Sequence, residues 1–248
     1  MEKIGGEFME KTRYRHLEPS AQERGLTQPP LQVALAEESE RIGLPKLDGI
    51  SLGEIELRAA IEARRSLREY AEIPLRLEEL SFLLWCTQGV RDHVSERATF
   101  RTVPSAGARH PFETVILANR VDGLEPALYQ YLALDHCLIG IPSSHGAAER
   151  LTAACLGQGM ISTSAATFVW IADSVRMTWR YGERGYRYLH LDAGHVCQNL
   201  YLASEAIHGG TCAIGAFDDD QVNDLLGLDG RERFAVYLAT VGKRAPRG

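Results

Sequence analysis

The 248-residue sequence has few of the features that hold a fold together through sulfur or metal. It contains only five cysteines, and no two of them stand in the CxxC spacing of zinc ribbons and thioredoxin-like proteins. Each cysteine has apolar neighbours in the chain, which indicates reduced, mostly buried thiols in a cytoplasmic protein. The positions are Cys86, Cys137, Cys155, Cys197 and Cys212.

Basic charge and long apolar runs are also scarce. Lysine and arginine total 27 against 33 aspartates and glutamates, which gives a net charge of −6 at pH 7. That balance disfavours a broad surface for nucleic acid or anionic membranes. No apolar run approaches the roughly 18 residues of a membrane-spanning helix, and the N-terminus lacks the apolar core of a signal peptide. We therefore expect a cytoplasmic protein without nucleic-acid or membrane partners.

Several common catalytic and nucleotide-binding motifs are missing. There is no Walker A loop, and residues 157–159 begin like a dinucleotide-binding loop but have Ser162 in place of its third glycine. Ser105 lacks the first glycine of a nucleophile elbow. His190 and His195 are five positions apart, so they do not share a helical face as a metal-binding pair would. No metal site is predicted.

Composition divides the chain into two parts. Residues 1–50 carry many charges, Pro29, Pro30 and Pro45, and little periodicity. They predict an irregular N-terminal arm that wraps a neighbour or frays. Residues 51–248 carry regular hydrophobic patterns and predict one folded domain.

The patterns in the second part predict an α+β fold. Ser51 and Glu54 have capping-box spacing, so a helix is expected to start near Ser51 and to run into the arginines that begin at Arg64. A second helix is expected to follow Pro74 and to end at Gly89. Strands are predicted at 112–118, 127–133, 137–141, 166–172 and 234–241, and further helices at 147–156, 187–208 and 218–226. Neighbouring strands joined by short turns favour a mostly antiparallel central sheet flanked by helices.

Three arginines and a serine stand together after the first predicted helix. Arg64 and Arg68 are four positions apart, and Arg65 and Ser66 lie between them. If the turn tightens here, three guanidinium groups and a hydroxyl converge on one point, and a phosphate needs that set of donors. A solvated basic helix end, which complements the helix dipole, explains the same residues equally well.

Two further segments are rich in small residues, and two cations follow the last strand. Small side chains let a backbone approach a flat ring closely, although a plain turn and a solvated chain end are the alternatives. The first segment is Pro104, Ser105, Ala106 and Gly107, the second is Ile214, Gly215 and Ala216, and the cations are Lys243 and Arg244.

Together these segments resemble the nitroreductase family of flavoproteins, over roughly residues 54–244. The resemblance implies that the basic residues within 64–68 hold the phosphate of FMN and that residues 104–107 lie against the flavin. It implies that the 214–216 loop places backbone amides near the reactive nitrogen, and that Lys243 and Arg244 return to the phosphate. It also implies a nitroreductase-like fold and an intertwined homodimer with FMN at the interface.

Within that family the sequence is most similar to the SagB/ThcOx dehydrogenase branch, which includes the azoline dehydrogenases of modified peptides. The motifs that carry the similarity are residues 104–111, 181–188, 191–195, 198–199 and 215–218. The branch handles protons with a Lys–Tyr pair, whose counterpart here is Arg180 and Tyr181. Because arginine stays protonated, the resemblance implies Tyr181 as the catalytic acid or proton relay. Ala108 stands where ordinary nitroreductases usually have asparagine.

We expect an FMN-dependent oxidoreductase that transfers hydride between the flavin and a small organic or peptide azoline substrate. One alternative is a NAD(P)H-dependent nitro- or quinone reductase. A second alternative, from a different class, is a non-catalytic flavin-binding scaffold in a maturation complex.

Overall fold

The structure, a computed structural model, describes residues 3–34, 40–47, 52, 54–95, 97–142 and 145–245. Within them the α-helices are α1 (Ile4–Lys11), α2 (Leu57–Ala63), α3 (Leu77–Gln88), α4 (Ala147–Ala154), α5 (Met160–Thr163), α6 (Ser174–Tyr181), α7 (Gly185–Ala206) and α8 (Asp219–Leu226). The strands are β1 (Arg41–Gly43), β2 (Val90–Ser95), β3 (Ala98–Arg101), β4 (Phe112–Ala118), β5 (Ala127–Leu132), β6 (Cys137–Gly140), β7 (Ala166–Asp173), β8 (Gly209–Ile214) and β9 (Arg233–Lys243). Short 3-10 helices span Tyr14–His16, Ala106–Ala108 and Gly182–Arg184.

A seven-stranded sheet in the order β1-β6-β5-β4-β7-β9-β8 forms the centre, and each neighbouring pair in it is antiparallel. Successive side chains of a strand point to opposite faces, so in β7 Phe168 and Trp170 enter one core cluster and Val169 and Ile171 the other. All four side chains are buried, because helices cover both faces of this strand. The predicted α+β fold with a mostly antiparallel sheet is confirmed.

Helices α3 and α7 cover the sheet face that carries Phe168 and Trp170, and α4 and α8 cover the other. Helix α7 is buried along the side that packs on the sheet. It leaves Leu191, Gly194 and Gln198 exposed along another side. An open face of α7 runs along the molecular surface.

The first helix of the predicted domain is shorter than its sequence pattern indicates. Ser51, and with it the predicted capping box, lies outside the described residues. Residues 54–56 are not helical, α2 begins at Leu57, and it ends at Ala63 before the arginines. The chain leaves the helix because Ser66 forms a parallel bridge to Thr211 of β8, and the Leu67 amide donates to the Thr211 carbonyl at 2.9 Å.

The N-terminal segment contains regular structure that its composition did not predict. It holds α1, and β1 adds to the edge of the central sheet beside β6. The segment also packs on α6, because the Gln22 amide donates to the Trp179 carbonyl at 2.8 Å and the Trp179 indole donates to the Leu26 carbonyl at 2.9 Å. The boundary near residue 50 stays a prediction.

The five cysteines are free thiols, and burial raises the pKa of three of them, Cys86, Cys155 and Cys197, to about 12. Among the described residues no group of three or more His, Cys, Asp or Glu side chains is placed to hold a metal ion. No helix in the described part of the chain is long and apolar enough to cross a membrane.

Candidate active site

The arginine-rich segment lies across the ends of β8 and β9. Gly210 and Gly242 are paired across these two strands. A Cβ atom at Gly210 would lie 2.6 Å from a methyl carbon of Leu67, and one at Gly242 would lie 2.8 Å from the ring of Tyr70. The two glycines therefore leave the space in which residues 66–70 approach the sheet.

Tyr201 of α7 anchors this segment. Its hydroxyl lies 2.9 Å from the Ser66 Oγ and accepts a 2.9 Å hydrogen bond from the Ala213 amide. The Arg64 guanidinium lies over the Tyr201 ring, 5.3 Å from its centroid. With the Ala213 amide donating to Tyr201, the phenol proton is available to Ser66, and the Ser66 proton can point outward to an anion.

The three guanidinium groups of the segment have no ion-pair partner among the described residues. In the described part of the chain no carboxylate forms an ion pair with Arg64, Arg65 or Arg68, although the structure has several other ion pairs. Arg65 and Arg68 are exposed, and Arg64 is half-buried. An unpaired set of three guanidinium groups beside a serine hydroxyl has the donor chemistry of a phosphate site.

The two cations after the last strand have internal partners. The Lys243 amino group lies 2.6 Å from the Glu79 carboxylate and donates to the Ile207 carbonyl at 2.7 Å. Arg244 pairs with the buried carboxylate of Glu205. Arg244 also lines a cavity of about 720 Å³ together with Arg65, whereas Lys243 does not. The structure therefore brings Arg244 close to the arginine segment, whereas Lys243 points towards α3. The contacts of both residues with a phosphate stay predictions.

The small-residue loop at 104–107 is held to α7 at a second point. The Ala106 amide lies 3.3 Å from each carboxylate oxygen of Asp192. The Ser105 hydroxyl accepts a 2.9 Å hydrogen bond from the His110 amide. Pro104 and Gly107 are exposed on the outer side of the loop. The loop is thus held on the side that faces α7, and it presents its backbone on the outer side.

Gly107 is the point at which α6 meets this loop. Its φ of +57° lies in the left-handed region. A Cβ atom here would lie 2.5 Å from the Tyr181 hydroxyl and 2.9 Å from the Arg180 Nε. The structure therefore places Tyr181, the residue that the resemblance implies is catalytic, directly against the loop that it implies contacts the flavin.

The third predicted segment, residues 214–216, begins at the last residue of β8. Ile214 is buried and pairs with Leu238, whereas Gly215 and Ala216 are exposed. The Ala216 carbonyl accepts a 2.8 Å hydrogen bond from the Gln158 side chain. The backbone amides of this loop are thus held at the end of the strand that also contacts the arginine segment.

One helix joins the two parts of the candidate site. Asp192, which holds the 104–107 loop, and Tyr201, which holds Ser66, are nine positions apart in α7. At 1.5 Å per residue this is about 13.5 Å along the helix axis. A ligand with a phosphate at one end and a flat ring at the other, such as FMN, matches a cationic end and a small-residue end that one rigid helix supports.

Sequence patterns did not assign roles to Asp192 and Tyr201. Asp192 lies three positions after Leu189 and four before Val196, within the apolar stripe of α7, and is buried. A charged residue inside an apolar stripe indicates a specific partner, so a signal for Asp192 was present. Tyr201 has no such signal, because an aromatic residue in a buried helix is usually packing.

The segment that follows residues 104–107 contains a buried histidine, His110, which affects the stability of the protein in acid. Burial, and then the charge of Arg101, lowers the pKa of His110 from 6.5 to about 3. The unfolded chain therefore binds a proton below pH 6.5 that the folded chain does not bind until about pH 3. The stability that the neutral His110 contributes is therefore fully present above pH 6.5, and it is lost as the pH falls from 6.5 towards 3.

His110→Asn removes this titration, and asparagine tolerates the positive φ of the position. Between pH 7 and pH 5 the wild-type protein should lose about 2 kcal/mol more unfolding free energy than the variant. Urea unfolding of both proteins at the two pH values measures the difference. Equal losses would show that His110 is not kept neutral by burial.

A match to a protein-family model shows which family the chain belongs to. The nitroreductase family model matches residues 61–243, which is most of the chain and includes both parts of the candidate site. The chain belongs to the nitroreductase family. This family consists of flavin-associated oxidoreductases, so the coarse chemistry implied by the sequence motifs is confirmed.

Individual relatives agree with this assignment. The chain is 36% identical over 203 residues to a protein of Methanocaldococcus jannaschii named as a nitroreductase, a match that covers 82% of this chain and 96% of that protein. It is 30% identical over 178 residues to the trifolitoxin-processing protein TfxB of Rhizobium leguminosarum bv. trifolii, covering 68% of this chain and 43% of that one. The chain therefore spans less than half of TfxB.

A solved structure shares the same fold. It is a protein of Ralstonia eutropha JMP134 named as a nitroreductase, with a TM-score of 0.70 and 24% sequence identity. The superposition covers 93% of this chain and 99% of the other. At this level of identity the likeness concerns the fold.

Proposed function

We propose that the chain is an FMN-dependent oxidoreductase of the SagB/ThcOx type, which transfers hydride between FMN and a peptide azoline or a similar small organic substrate. The observation that carries the proposal is the joint placement on α7 of an unpaired arginine segment with Ser66 and of a small-residue loop with Tyr181. Family membership supports a flavin, and the similarity to a trifolitoxin-processing protein supports a peptide substrate.

The phosphate end of FMN would be held by Arg64, Arg65 and Arg68, with the Ser66 hydroxyl as an additional donor. The guanidinium groups would give charge-assisted hydrogen bonds. Tyr201 would keep the Ser66 hydroxyl oriented through the 2.9 Å contact. Arg244 would lie near the same end of the site, since it shares a cavity with Arg65.

The ring end would lie on the 104–107 loop, where the chain presents backbone and small side chains. When bound, FMN supplies the hydride chemistry, and the protein supplies binding, orientation and electrostatics. The amides of Gly215 and Ala216 would donate to the ring, where backbone dipoles stabilise developing negative charge. Tyr181 would hold the proton that accompanies hydride transfer, at its hydroxyl oxygen beside Gly107.

Anaerobic reduction of the flavin-loaded protein separates this proposal from its rivals. A thiazoline- or oxazoline-containing peptide is added in one sample, and NADH or NADPH in two others, while the visible flavin absorbance is followed. We expect bleaching by the azoline. Bleaching by a reduced nicotinamide alone would identify a nitro- or quinone reductase, and no bleaching by any of them would support a scaffold.

The proposal includes a homodimer in which two chains complete each flavin site. Large apolar side chains are exposed on the single chain around α2 and α7: Leu57 is 66% exposed, Leu191 59% and Ile61 55%. Such side chains at the surface favour a partner surface. Light scattering of the flavin-loaded protein should give about twice the chain mass of 27.5 kDa. A monomer that retains flavin would contradict the shared site.

A further inference from the structure

A second cluster of cationic side chains, separate from residues 64–68, lies around Gly107. The Arg109 side chain donates from Nε to the Gly107 carbonyl at 3.1 Å, and its guanidinium lies over the ring of Trp179, 5.4 Å from the centroid. Arg180 lies over the same glycine, beside the Tyr181 hydroxyl. Two guanidinium groups and one phenol therefore converge on the backbone of Gly107.

Neither guanidinium group has a carboxylate partner in the described part of the chain. Arg109 is only 8% exposed, yet no carboxylate pairs with it or with Arg180. Burial and the neighbouring Arg180 charge lower the pKa of Arg109. By contrast, the buried Arg176 pairs with Glu113 and Asp173. A buried cation without an anion is costly, so this arrangement is that of a site which receives its anion from outside.

We propose that Arg109 and Arg180 bind a carboxylate group of the substrate and thereby position the substrate beside Tyr181. The inference rests on the proposed function in one respect, namely that this ligand is the hydride partner of the flavin. A guanidinium edge donates two parallel hydrogen bonds to a planar carboxylate. Trp179 covers one face of the Arg109 guanidinium, so the remaining N–H donors of Arg109 lie along the edge of that planar group. A tetrahedral phosphate would place oxygens out of that plane.

Calorimetric titration of the full-length protein, with and without FMN, tests this inference. The probes are benzoate, its neutral isostere benzamide, and inorganic phosphate. Benzoate should bind at least about tenfold more tightly than benzamide, because a charge-assisted pair is lost in the amide. In the FMN-loaded protein, where the proposed phosphate site at residues 64–68 is filled, benzoate should also bind more tightly than phosphate. Benzoate should change the tryptophan fluorescence, and Trp179→Phe should remove that change.

Variants assign the binding to the two arginines. Arg109→Met should weaken benzoate binding about tenfold or more, because a buried charge is removed. Arg180→Gln should weaken it up to about fivefold, as expected for an exposed charge, and this surface change should not affect folding. The control Arg150→Gln alters the same net charge at an exposed position on α4 and should leave benzoate binding unchanged.

Three results would overturn the inference: equal affinity for benzoate and benzamide, tighter binding of phosphate than of benzoate by the FMN-loaded protein, or equal weakening by Arg150→Gln and Arg180→Gln. FMN titration of the same samples keeps the two proposals apart. FMN binding without selectivity for benzoate overturns the carboxylate site alone. Selective benzoate binding without FMN binding overturns the proposed function and leaves the carboxylate site standing.

Discussion

Tyr181→Phe is expected to lower the rate of hydride transfer about 10²–10⁴-fold while FMN affinity stays the same, because a general acid contributes that much and the hydroxyl alone is removed. The phenol lies against Gly107, within the loop proposed to contact the flavin. Its ring makes an edge contact with Tyr188, 4.8 Å between centroids, and phenylalanine keeps that contact. The change therefore affects proton handling and leaves packing intact.

Single-turnover kinetics and FMN titration of the same variant measure the two quantities separately. Tyr186→Phe is the matched control, since the Tyr186 ring stacks on Phe234 at 6.5 Å, next in the same segment. The control should keep its rate. If Tyr181→Phe also turns over at the full rate, the proton comes from solvent, another side chain or the substrate, and Tyr181 is a packing residue.

Arg64→Ala and Arg68→Ala should each weaken FMN binding about ten- to hundredfold. Each change removes the proposed charge-assisted contact with the phosphate, worth about 1.5–3 kcal/mol. The fold should survive, because neither side chain forms an ion pair within the described residues and Arg68 is exposed. Arg64→Ala also removes the guanidinium above the Tyr201 ring, which adds a small loss of packing.

Fluorescence titration with FMN and urea unfolding together separate binding from stability. Arg150→Ala removes an exposed cation on α4, far along the chain from the segment, and should bind FMN as the wild type does. The salt dependence of FMN affinity should also decrease in the two variants, because one charge fewer is screened. Unchanged affinity in both would mean that the segment is a solvated basic end of the chain after α2.

Much of the central sheet could be predicted because local sequence and tertiary environment agree there. Residues 112–118 form β4 as predicted, and Gly89 follows the last residue of α3 as predicted. The helix before Arg64 was predicted too long, because its pattern cannot reveal that Ser66 pairs with Thr211. Strand β1 has only three residues and exists through its pairing with β6, so no local pattern could show it.

Some parts of the candidate site could be predicted from the sequence, and others could not. The motifs at 64–68 and 104–107 are contiguous, so their chemistry is visible in the sequence. Tyr201 is visible only in three dimensions, where its hydroxyl meets Ser66 and the Ala213 amide. The partners of Lys243 are of the same kind, since Glu79 is 164 positions away in the chain. Long-range pairing of this kind is the information that composition and periodicity lack.

The most direct test of the central proposal is the identity of the bound cofactor. The protein is purified, denatured, and the released chromophore is separated against FMN and FAD standards, with the amount compared with the amount of chain. We predict stoichiometric FMN, because the arginine segment at residues 64–68 is the size of a single phosphate site and the sequence has no dinucleotide fingerprint. Recovery of FAD, or no flavin after reconstitution with FMN, would contradict the proposal.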